Sequence, residues 1–299
     1  AIFALGFAPG SLPTWSHLAA TVLPGYVGNT LSLVALTGAG VAFGGTLAAW
    51  LVSHRRFPGD RVFEWALMLP LAMPAYVMAY AYTDWLEYAG PLQTMLRETF
   101  GWRRGDYFFP DVRSLPGAAA MFVLTLYPYV YLLARTAFLE RPASLNEAAR
   151  TMGLTPAQTF WRVDLPLARP AVAGGIALAL METLADFGTV AYFAVDTFTT
   201  GIYRAWFSLG DRAAAAQLAI ALLGFVVLAL ALERMSRKAA RVSGSTRGRT
   251  VAPSVAPQLT GARAWFATIV CVVPLAVGFL IPVLLLVRLG PPRRLALRP

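Results

Sequence analysis

GNTLSLVALTGAGVAFGGTLAAWLVS, residues 28–53, runs without a charged side chain. A helix needs about 20 apolar residues to cross a hydrocarbon core of about 30 Å, so this stretch is long enough to span a bilayer. Stretches of the same kind occur at six places, 28–53, 65–83, 114–134, 171–195, 213–232 and 264–287. Charges interrupt the fourth, which contains Glu182 and Asp186. The sequence therefore predicts an all-α membrane protein, a polytopic bundle of transmembrane helices.

The composition also indicates a membrane protein. Of 299 residues, 58% are hydrophobic and 13% are charged, and the mean hydropathy is +0.60, whereas soluble domains carry about 25% charged residues. These values exclude a disordered chain and an ordinary cytosolic enzyme. The single cysteine, Cys271, excludes an intrachain disulfide and a metal site built from several cysteines.

The basic residues predict the orientation of the spans. The chain carries 25 Lys and Arg against 15 Asp and Glu, a net charge of +10. Apolar runs separate these residues instead of letting them form one patch, so nucleic acid is not an expected partner. The loops 54–62, 135–169 and 234–263 hold 15 basic residues, and the loops 84–113 and 196–212 hold six. The positive-inside rule places the first three loops in the cytoplasm.

Glycines and prolines within the spans bear on helix packing. Gly40 and Gly44 form a G-x-x-x-G pair, which is typical of a close helix contact, although richness in small residues explains it equally well. Pro70, Pro74 and Pro128 also lie inside spans. Prolines are tolerated there because packed neighbours can satisfy the carbonyls that they leave free.

The predicted cytoplasmic loop after the third span carries two helix-start signals. Residues 144–147, Ser-Leu-Asn-Glu, form a capping box, and Gly153 suits the end of the short helix that follows. Residues 155–158, Thr-Pro-Ala-Gln, form a second box with proline at the first helical position. Pro166 and Pro170 then predict the end of the second helix before the next span.

Such a pair of capped helices is compatible with three roles. A helix-turn-helix that reads DNA is disfavoured because the net charge is small and a membrane span lies close to each end. A plain linker would not need two capped helices. A docking element for a cytoplasmic partner is favoured, because Ala148, Ala149 and Gly153 allow another surface to approach closely.

The segment EAARTMGLTPAQTFWRVDLPLARP, residues 147–170, resembles the EAA loop of binding-protein-dependent ABC importer permeases. In that family the loop seats a coupling helix in a groove of a separate ATP-hydrolysing subunit. The resemblance implies that residues 144–166, here named the coupling loop, dock this subunit. The motif positions are Glu147, Ala148, Ala149, Gly153, Leu165 and Pro166. It also implies a transport protein that is not itself an enzyme and has no cofactor, with ATP and Mg²⁺ on the partner.

The adjoining sequence is similar to the ferric-iron type of these permeases in four segments, 63–84, 126–140, 181–211 and 214–223. The similarity implies a MetI-like bundle in the bacterial inner membrane that forms the translocation path of an iron importer. The implied partners are a dimer of ATP-binding subunits, a periplasmic substrate-binding protein, a second permease half or subunit, and membrane lipid. Related permeases carry thiamine, molybdate or sulfate, so the substrate stays open.

The resemblance also predicts a domain division. Residues 1–233 correspond to most of a first permease half without its first span. Residues 234–263 would be a basic cytoplasmic linker, and residues 264–299 the truncated start of a second half. Because residues 1–9, AIFALGFAP, look like the end of an earlier span, we expect the chain to be a fragment.

Glu182 and Asp186 are candidate residues of the translocation path. They are four residues apart and would share one helix face. Each would cost about 2.5–3.5 kcal/mol at the bilayer centre, so a pore, a polar cavity or a cationic partner is favoured over lipid. A structural contact to a partner helix, or a position near the outer interface, remains the alternative. An anionic face would suit a cationic substrate.

Other polar side chains in the spans have weaker signals. Tyr127 and Tyr131 share a helix face, and phenolates can bind ferric iron, but aromatic side chains also form interfacial belts and pack cores. Arg135 is expected to extend its charged end to the inner interface. His17 and His54 lie on opposite sides in the predicted topology, so no zinc site is proposed and any metal ligands are unknown.

The energy source distinguishes an ATP-driven importer from the competing functions. A nucleotide-binding P-loop needs Gly-Lys followed by Ser or Thr, and the one lysine, Lys238, follows Arg237. An ion-coupled secondary transporter using Glu182 and Asp186 would need no ATP, but it gives no reason for the capped helices. A membrane scaffold that only recruits a partner would leave the acidic pair unexplained.

Overall fold

The computed structural model describes Phe3, Gly6, 12–103, 105–140, Leu145, Ala149, 151–240 and 257–289, with the side chains of 229 and 232–240 left aside. These residues form helices, which confirms the all-α fold. In chain order the helices are α1 (Leu12–Thr21), α2 (Leu23–His54), α3 (Asp60–Ala66), α4 (Ala75–Leu86), α5 (Pro91–Phe100), α6 (Leu115–Leu139), α7 (Pro156–Thr159), α8 (Leu165–Ala185), α9 (Gly188–Tyr192), α10 (Phe198–Tyr203), α11 (Arg212–Ala240), α12 (Ala262–Leu275) and α13 (Ile281–Leu289).

Four helical segments in the described part of the chain are long and apolar enough to cross a membrane. They are Leu23–His54, Leu115–Leu139, Pro156–Ala185 and Ala262–Leu289. The first, second and fourth confirm the predicted spans 28–53, 114–134 and 264–287. The predicted span 213–232 lies within α11, whose segment Arg212–Leu228 is a shorter apolar helix, so its crossing of the membrane stays a prediction.

The predicted span 65–83 is not one straight helix. The helical segments Asp60–Ala72 and Ala75–Phe100 meet at an angle of 87°. The break falls at Met73 and Pro74, both of which have extended ψ angles, 112° and 137°. Proline has no N–H to donate and pushes the preceding residue out of the helical region, so the helix must stop here and begin again.

The predicted span 171–195 was wrong at both ends. The helix does not end at Pro166 and Pro170 but continues through both to Ala185. Pro166 lies in the first turn of α8, directly after a π-helical turn at Phe160–Asp164 that joins α7 to α8. In this turn the Leu165 N–H bonds to the carbonyl oxygen of Phe160, five residues back. Beyond Ala185 the chain turns into the short helices α9 and α10.

Close packing of α6 against α2 and α8 organises the core. A Cβ placed on Gly45 of α2 would lie 2.7 Å from Val130 Cβ, and one on Gly175 of α8 would lie 2.6 Å from Val130 Cα. Of the predicted glycine pair, Gly40 does contact α6, but a Cβ on Gly44 would meet nothing within 4 Å. The second close contact therefore belongs to Gly45.

The α12–α13 segment packs against the same core as the preceding helices. Cys271 is fully buried, and the Tyr82 hydroxyl donates a 2.6 Å hydrogen bond to the carbonyl oxygen of Val277. A Cβ on Gly278 would lie 2.9 Å from the carbonyl oxygen of Leu124 in α6. The assignment of this segment to a second permease half stays a prediction, and it docks on the helices assigned to the first half.

The loops gather at two ends of the bundle. At one end, the Arg56 N–H donates to the carbonyl oxygen of Pro257, and the Leu259 N–H donates to the carbonyl oxygen of Arg56. These bonds join the loops 54–62 and 234–263, both of which are predicted to be cytoplasmic. At the other end, Asn29 donates to the carbonyl oxygen of Asp196. This grouping agrees with the predicted topology, and which end faces the cytoplasm stays a prediction.

Candidate functional site

The first half of the coupling loop is described only in part. Glu147 and Ala148 lie outside the described residues, whereas Ala149 is helical and fully buried. The N–H of Leu154 bonds to the carbonyl oxygen of Ala149 at 3.0 Å. Gly153 has φ +72°, a left-handed conformation that suits glycine at a helix end, so its predicted place as a helix terminator is confirmed.

The second capping box forms as the sequence predicts. The Gln158 N–H donates to Thr155 Oγ1 at 3.3 Å, and the Thr155 N–H donates to Gln158 Oε1 at 2.9 Å. The α7 helix that follows contains no buried residue. Met152 and Trp161 beside it are 68% and 66% exposed. The coupling loop thus presents large apolar side chains at the surface, as an interaction site does.

The end of the coupling loop contacts α2 through a residue that sequence reasoning did not select. Leu165 and Pro166 open α8 and are half-buried, while Asp164 before them is 2% exposed. Trp50 Nε1 donates to Asp164 Oδ2 at 2.9 Å, and His54 Nε2 lies 3.9 Å from the same oxygen. The sequence does show a carboxylate between two apolar residues, Val163 and Leu165, which indicates a buried charge. It could not show the partners of that charge, because they lie more than a hundred residues away.

Glu182 and Asp186 meet at one cavity of about 250 Å³. This acidic cavity lies where the break between α3 and α4 faces α6 and the end of α8. Its other polar lining comes from Tyr76, Thr125 and Tyr129. The chain break at Pro74 and the end of α8 thus bring together groups that are far apart in sequence.

The two carboxylates have different surroundings. Asp186 is the residue at which α8 ends, and its Oδ1 accepts a 2.7 Å hydrogen bond from the Thr189 N–H at the start of α9. Glu182 lies on an exposed face of α8 beside Leu178 and Met181, which are 43% and 44% exposed. Asp186 therefore also has a structural role, whereas Glu182 is an exposed residue of the cavity lining.

The two tyrosines selected from the sequence do not line the acidic cavity. Tyr127 and Tyr131 are buried in the core, and the Tyr131 hydroxyl donates to the carbonyl oxygen of Glu64 at 2.9 Å. Tyr129, on another face of α6, lines the cavity instead. The tyrosines alternate along the chain, so the pattern alone did not indicate which face meets the cavity.

Arg135 forms an ion pair between α6 and α3, in which its Nη2 lies 3.0 Å from Glu64 Oε2. Its predicted extension to the inner interface stays a prediction. In the described part of the chain, no group of three or more His, Cys, Asp or Glu side chains is placed to hold a metal ion.

Most of the chain is similar to one known protein family. Residues 40–242 match the family described as the binding-protein-dependent transport system inner membrane component. The chain belongs to this family. The match includes the coupling loop, both carboxylates of the acidic cavity and α11.

Curated relatives in this family differ in their named substrates. The Fe(3+)-transport system permease protein FbpB 2 of Haemophilus influenzae is 28% identical over 200 residues, 67% of this chain and 35% of that protein. A probable sulfate transport system permease protein cysT of Chlorokybus atmophyticus is 30% identical over 51% of this chain and 50% of its own. The molybdenum transport system permease protein ModB of Escherichia coli is 28% identical over 69% of this chain and 88% of its own. The chain thus spans half or less of the first two relatives.

Solved structures show the same fold. A bacterial alginate ABC transporter, crystallised with an alginate pentasaccharide-bound periplasmic protein, superposes with a TM-score of 0.62 at 17% identity. The superposition covers 82% of this chain and 88% of that one. At this identity the likeness establishes the helix arrangement of the permease family and nothing about substrate.

Proposed function

We propose that this chain is the transmembrane permease component of an ATP-driven, binding-protein-dependent importer in the bacterial inner membrane. It forms the translocation path and couples to a separate ATP-hydrolysing subunit. The observation that carries this proposal is the coupling loop, a capped and exposed helical element that continues directly into a membrane-spanning helix. Family membership supports the same function.

The continuity of the helix supports a mechanism for coupling. The segment Pro156–Ala185 has 30 residues, which at 1.5 Å per residue is about 45 Å of helix. Its first turn is exposed for docking, and Glu182 lies near its other end. A dimer of ATP-binding subunits that moves the coupling loop would therefore displace the wall of the acidic cavity. ATP and Mg²⁺ act on the partner subunit.

The charge of the acidic cavity favours a cation, and ferric iron is the substrate proposed. Two carboxylates at one cavity attract cations and repel oxyanions. The Haemophilus relative is named for Fe(3+) transport, whereas the relatives named for sulfate and molybdenum handle substrates that are oxyanions in water. The alternative is the same importer class carrying sulfate, molybdate or thiamine.

The exposed face of α8 supports a further permease half or subunit as a partner. Glu182 would cost about 2.5–3.5 kcal/mol at the bilayer centre if this face met lipid. Contact with a second permease half, or with a water-filled path between the two halves, removes that cost. The loops 84–113 and 196–212, at the other end from the coupling loop, are the proposed docking site of a periplasmic binding protein.

Damage to the coupling loop tests the ATP-driven mechanism. The full-length parent would be reconstituted in proteoliposomes with its ATPase and binding protein, and uptake measured with and without ATP. Gly153→Pro is expected to abolish ATP-dependent uptake and ATPase retention, because proline cannot adopt a positive φ. Gly261→Pro is the matched control, since Gly261 also has a positive φ, +60°, but lies outside the coupling loop. Unchanged ATP-dependent uptake in Gly153→Pro would refute the proposal.

Charge substitution tests the path. Glu182→Gln is expected to reduce uptake while the ATPase stays bound, and Glu182→Asp, which keeps the charge, should retain more uptake than Glu182→Gln. Asp186→Asn should act in the same direction. Equal loss of ATPase binding would favour a structural role instead. Uptake that needs a proton or cation gradient and no ATP would favour the rival, an ion-coupled secondary transporter using both carboxylates.

A further inference from the structure

The structure assigns the buried Asp164 and the half-buried Trp50 and His54 to a polar clamp that ties the coupling loop to the end of α2. Through this clamp, displacement of the coupling loop moves α2 as well as α8. The inference rests on the proposed function, since it concerns how the motion of an ATPase enters the bundle.

Burial singles out Asp164 within residues 151–164 of the coupling loop. Between Thr151 and Asp164, Asp164 is the one residue that is buried, and α7 makes no buried contact. A buried carboxylate is costly unless it is hydrogen-bonded. The indole N–H of Trp50, 2.9 Å from Asp164 Oδ2, supplies such a bond, and His54 at 3.9 Å adds an ion pair when its ring is protonated.

Aromatic contacts enclose the clamp. The rings of Trp50 and Phe160 meet edge to face with centroids 5.3 Å apart, so Trp50 contacts both ends of the π-helical turn. The ring of His54 meets Phe138 of α6 at 5.4 Å. The π-helical turn, α2 and α6 therefore converge on one small cluster at the end of the bundle that holds the coupling loop.

The π-helical turn explains why Asp164 faces inward. A π turn holds one residue more than an α turn and so rotates the following helix relative to the preceding one. In this chain α7 lies exposed, while the last residue of the turn is directed at α2. Beyond the clamp, α2 is in backbone contact with α6 at Gly45, so a displacement at Trp50 acts on a tightly packed helix pair.

Removal of the clamp should uncouple hydrolysis from transport. The complete reconstituted transporter would carry Trp50→Phe, which keeps the ring but loses the donor, or Asp164→Leu, which keeps the volume but loses the acceptor. Retention of the ATPase is expected to be unchanged, because the exposed face of the loop is intact. Uptake per ATP hydrolysed is expected to fall about fivefold or more, within the usual range of coupling between sites.

Two further variants separate coupling from folding. Asp164→Asn keeps an oxygen that can accept the indole N–H and should restore much of the uptake per ATP. Trp65→Phe changes an exposed tryptophan outside the clamp and should leave the ratio at its original value. Hydrogen exchange of the amides in 160–164, measured without the ATPase, should accelerate in Trp50→Phe.

The outcomes distinguish the two proposals. An unchanged ratio of uptake to hydrolysis, or unchanged exchange in 160–164, with the ATPase bound would overturn the clamp and leave the proposed function in place. Failure of the unaltered permease to bind an ATPase would overturn the proposed function. Equal losses in Asp164→Asn and Asp164→Leu would also overturn the clamp, because the hydrogen bond would then have no part in coupling.

Discussion

Alanine at Gly45 should force apart the two helices that form the centre of the bundle. The new Cβ would lie 2.7 Å from Val130 Cβ, 2.8 Å from the Tyr127 carbonyl oxygen and 2.9 Å from the Tyr131 nitrogen. Two of these three atoms belong to the backbone, so no rotation of a side chain can relieve the contact. The adjoining Gly44 provides a matched control, because a Cβ there would meet nothing within 4 Å.

The magnitude follows from the contact distances. Carbon atoms in favourable contact are about 3.5–4.0 Å apart, so α2 and α6 must separate by about 0.8 Å or more near Gly45. A gap of about 0.5–1 Å forfeits a quarter to a half of the dispersion energy of the surrounding contacts. Overpacked positions of this kind cost about 1–3 kcal/mol. Because alanine improves helix propensity equally at Gly44 and Gly45, this cost is the expected difference between the two variants.

The assay is thermal unfolding of the detergent-solubilised protein. Gly45→Ala should melt several degrees below the unaltered protein, whereas Gly44→Ala should melt at the same temperature or higher. Gly175→Ala should resemble Gly45→Ala, because its Cβ would lie 2.6 Å from Val130 Cα of α6. Equal melting temperatures for Gly44→Ala and Gly45→Ala would refute the close approach of α2 and α6.

Two other changes test smaller contacts. Thr155→Ala removes the Oγ1 that accepts the Gln158 N–H and keeps the backbone N–H that donates to Gln158 Oε1. The loss of this cap should cost the short helix about 0.5–2 kcal/mol and accelerate hydrogen exchange of the Gln158 amide. Exchange at the original rate would contradict the capping role of Thr155. Tyr82→Phe removes the hydrogen bond to the Val277 carbonyl oxygen. Because this bond holds the α12–α13 segment against the core, its loss should speed labelling of the buried Cys271 by a membrane-permeant maleimide. Unchanged labelling would show that the bond does not hold α12 and α13 in place.

Local patterns in the sequence were sufficient for the helices and for the caps of the coupling loop. The charge-free run 114–134 predicted a span because burying a charge in hydrocarbon is costly, and α6 covers it. The pair Thr155 and Gln158 predicted a helix start because both partners lie within one turn, and Gly153 predicted a helix end because of its backbone freedom. Each of these signals acts between residues close in the chain.

The prolines were predicted to be tolerated within one span and to end the helix before another, and the structure shows the reverse. Pro74 breaks a predicted span, whereas Pro166 and Pro170 lie inside a continuous helix. The residue type is the same in each case. The difference comes from position: Pro166 opens a helix after a π-helical turn, and Pro74 follows an extended residue at a bend that neighbouring helices pack around.

The sequence by itself determined a helical protein with long apolar spans and the position of the capped helices, because hydropathy and capping depend on neighbouring residues. Its family came from the resemblance of residues 147–170 to a known motif. Only the tertiary structure decided which side chains meet. It placed Glu182 and Asp186 at one cavity, chose Tyr129 over Tyr127 and Tyr131 for its lining, and joined Asp164 to Trp50 across 114 positions of the chain. Helix rotation and approach distance decide these contacts, and both depend on packing between segments that are remote in sequence.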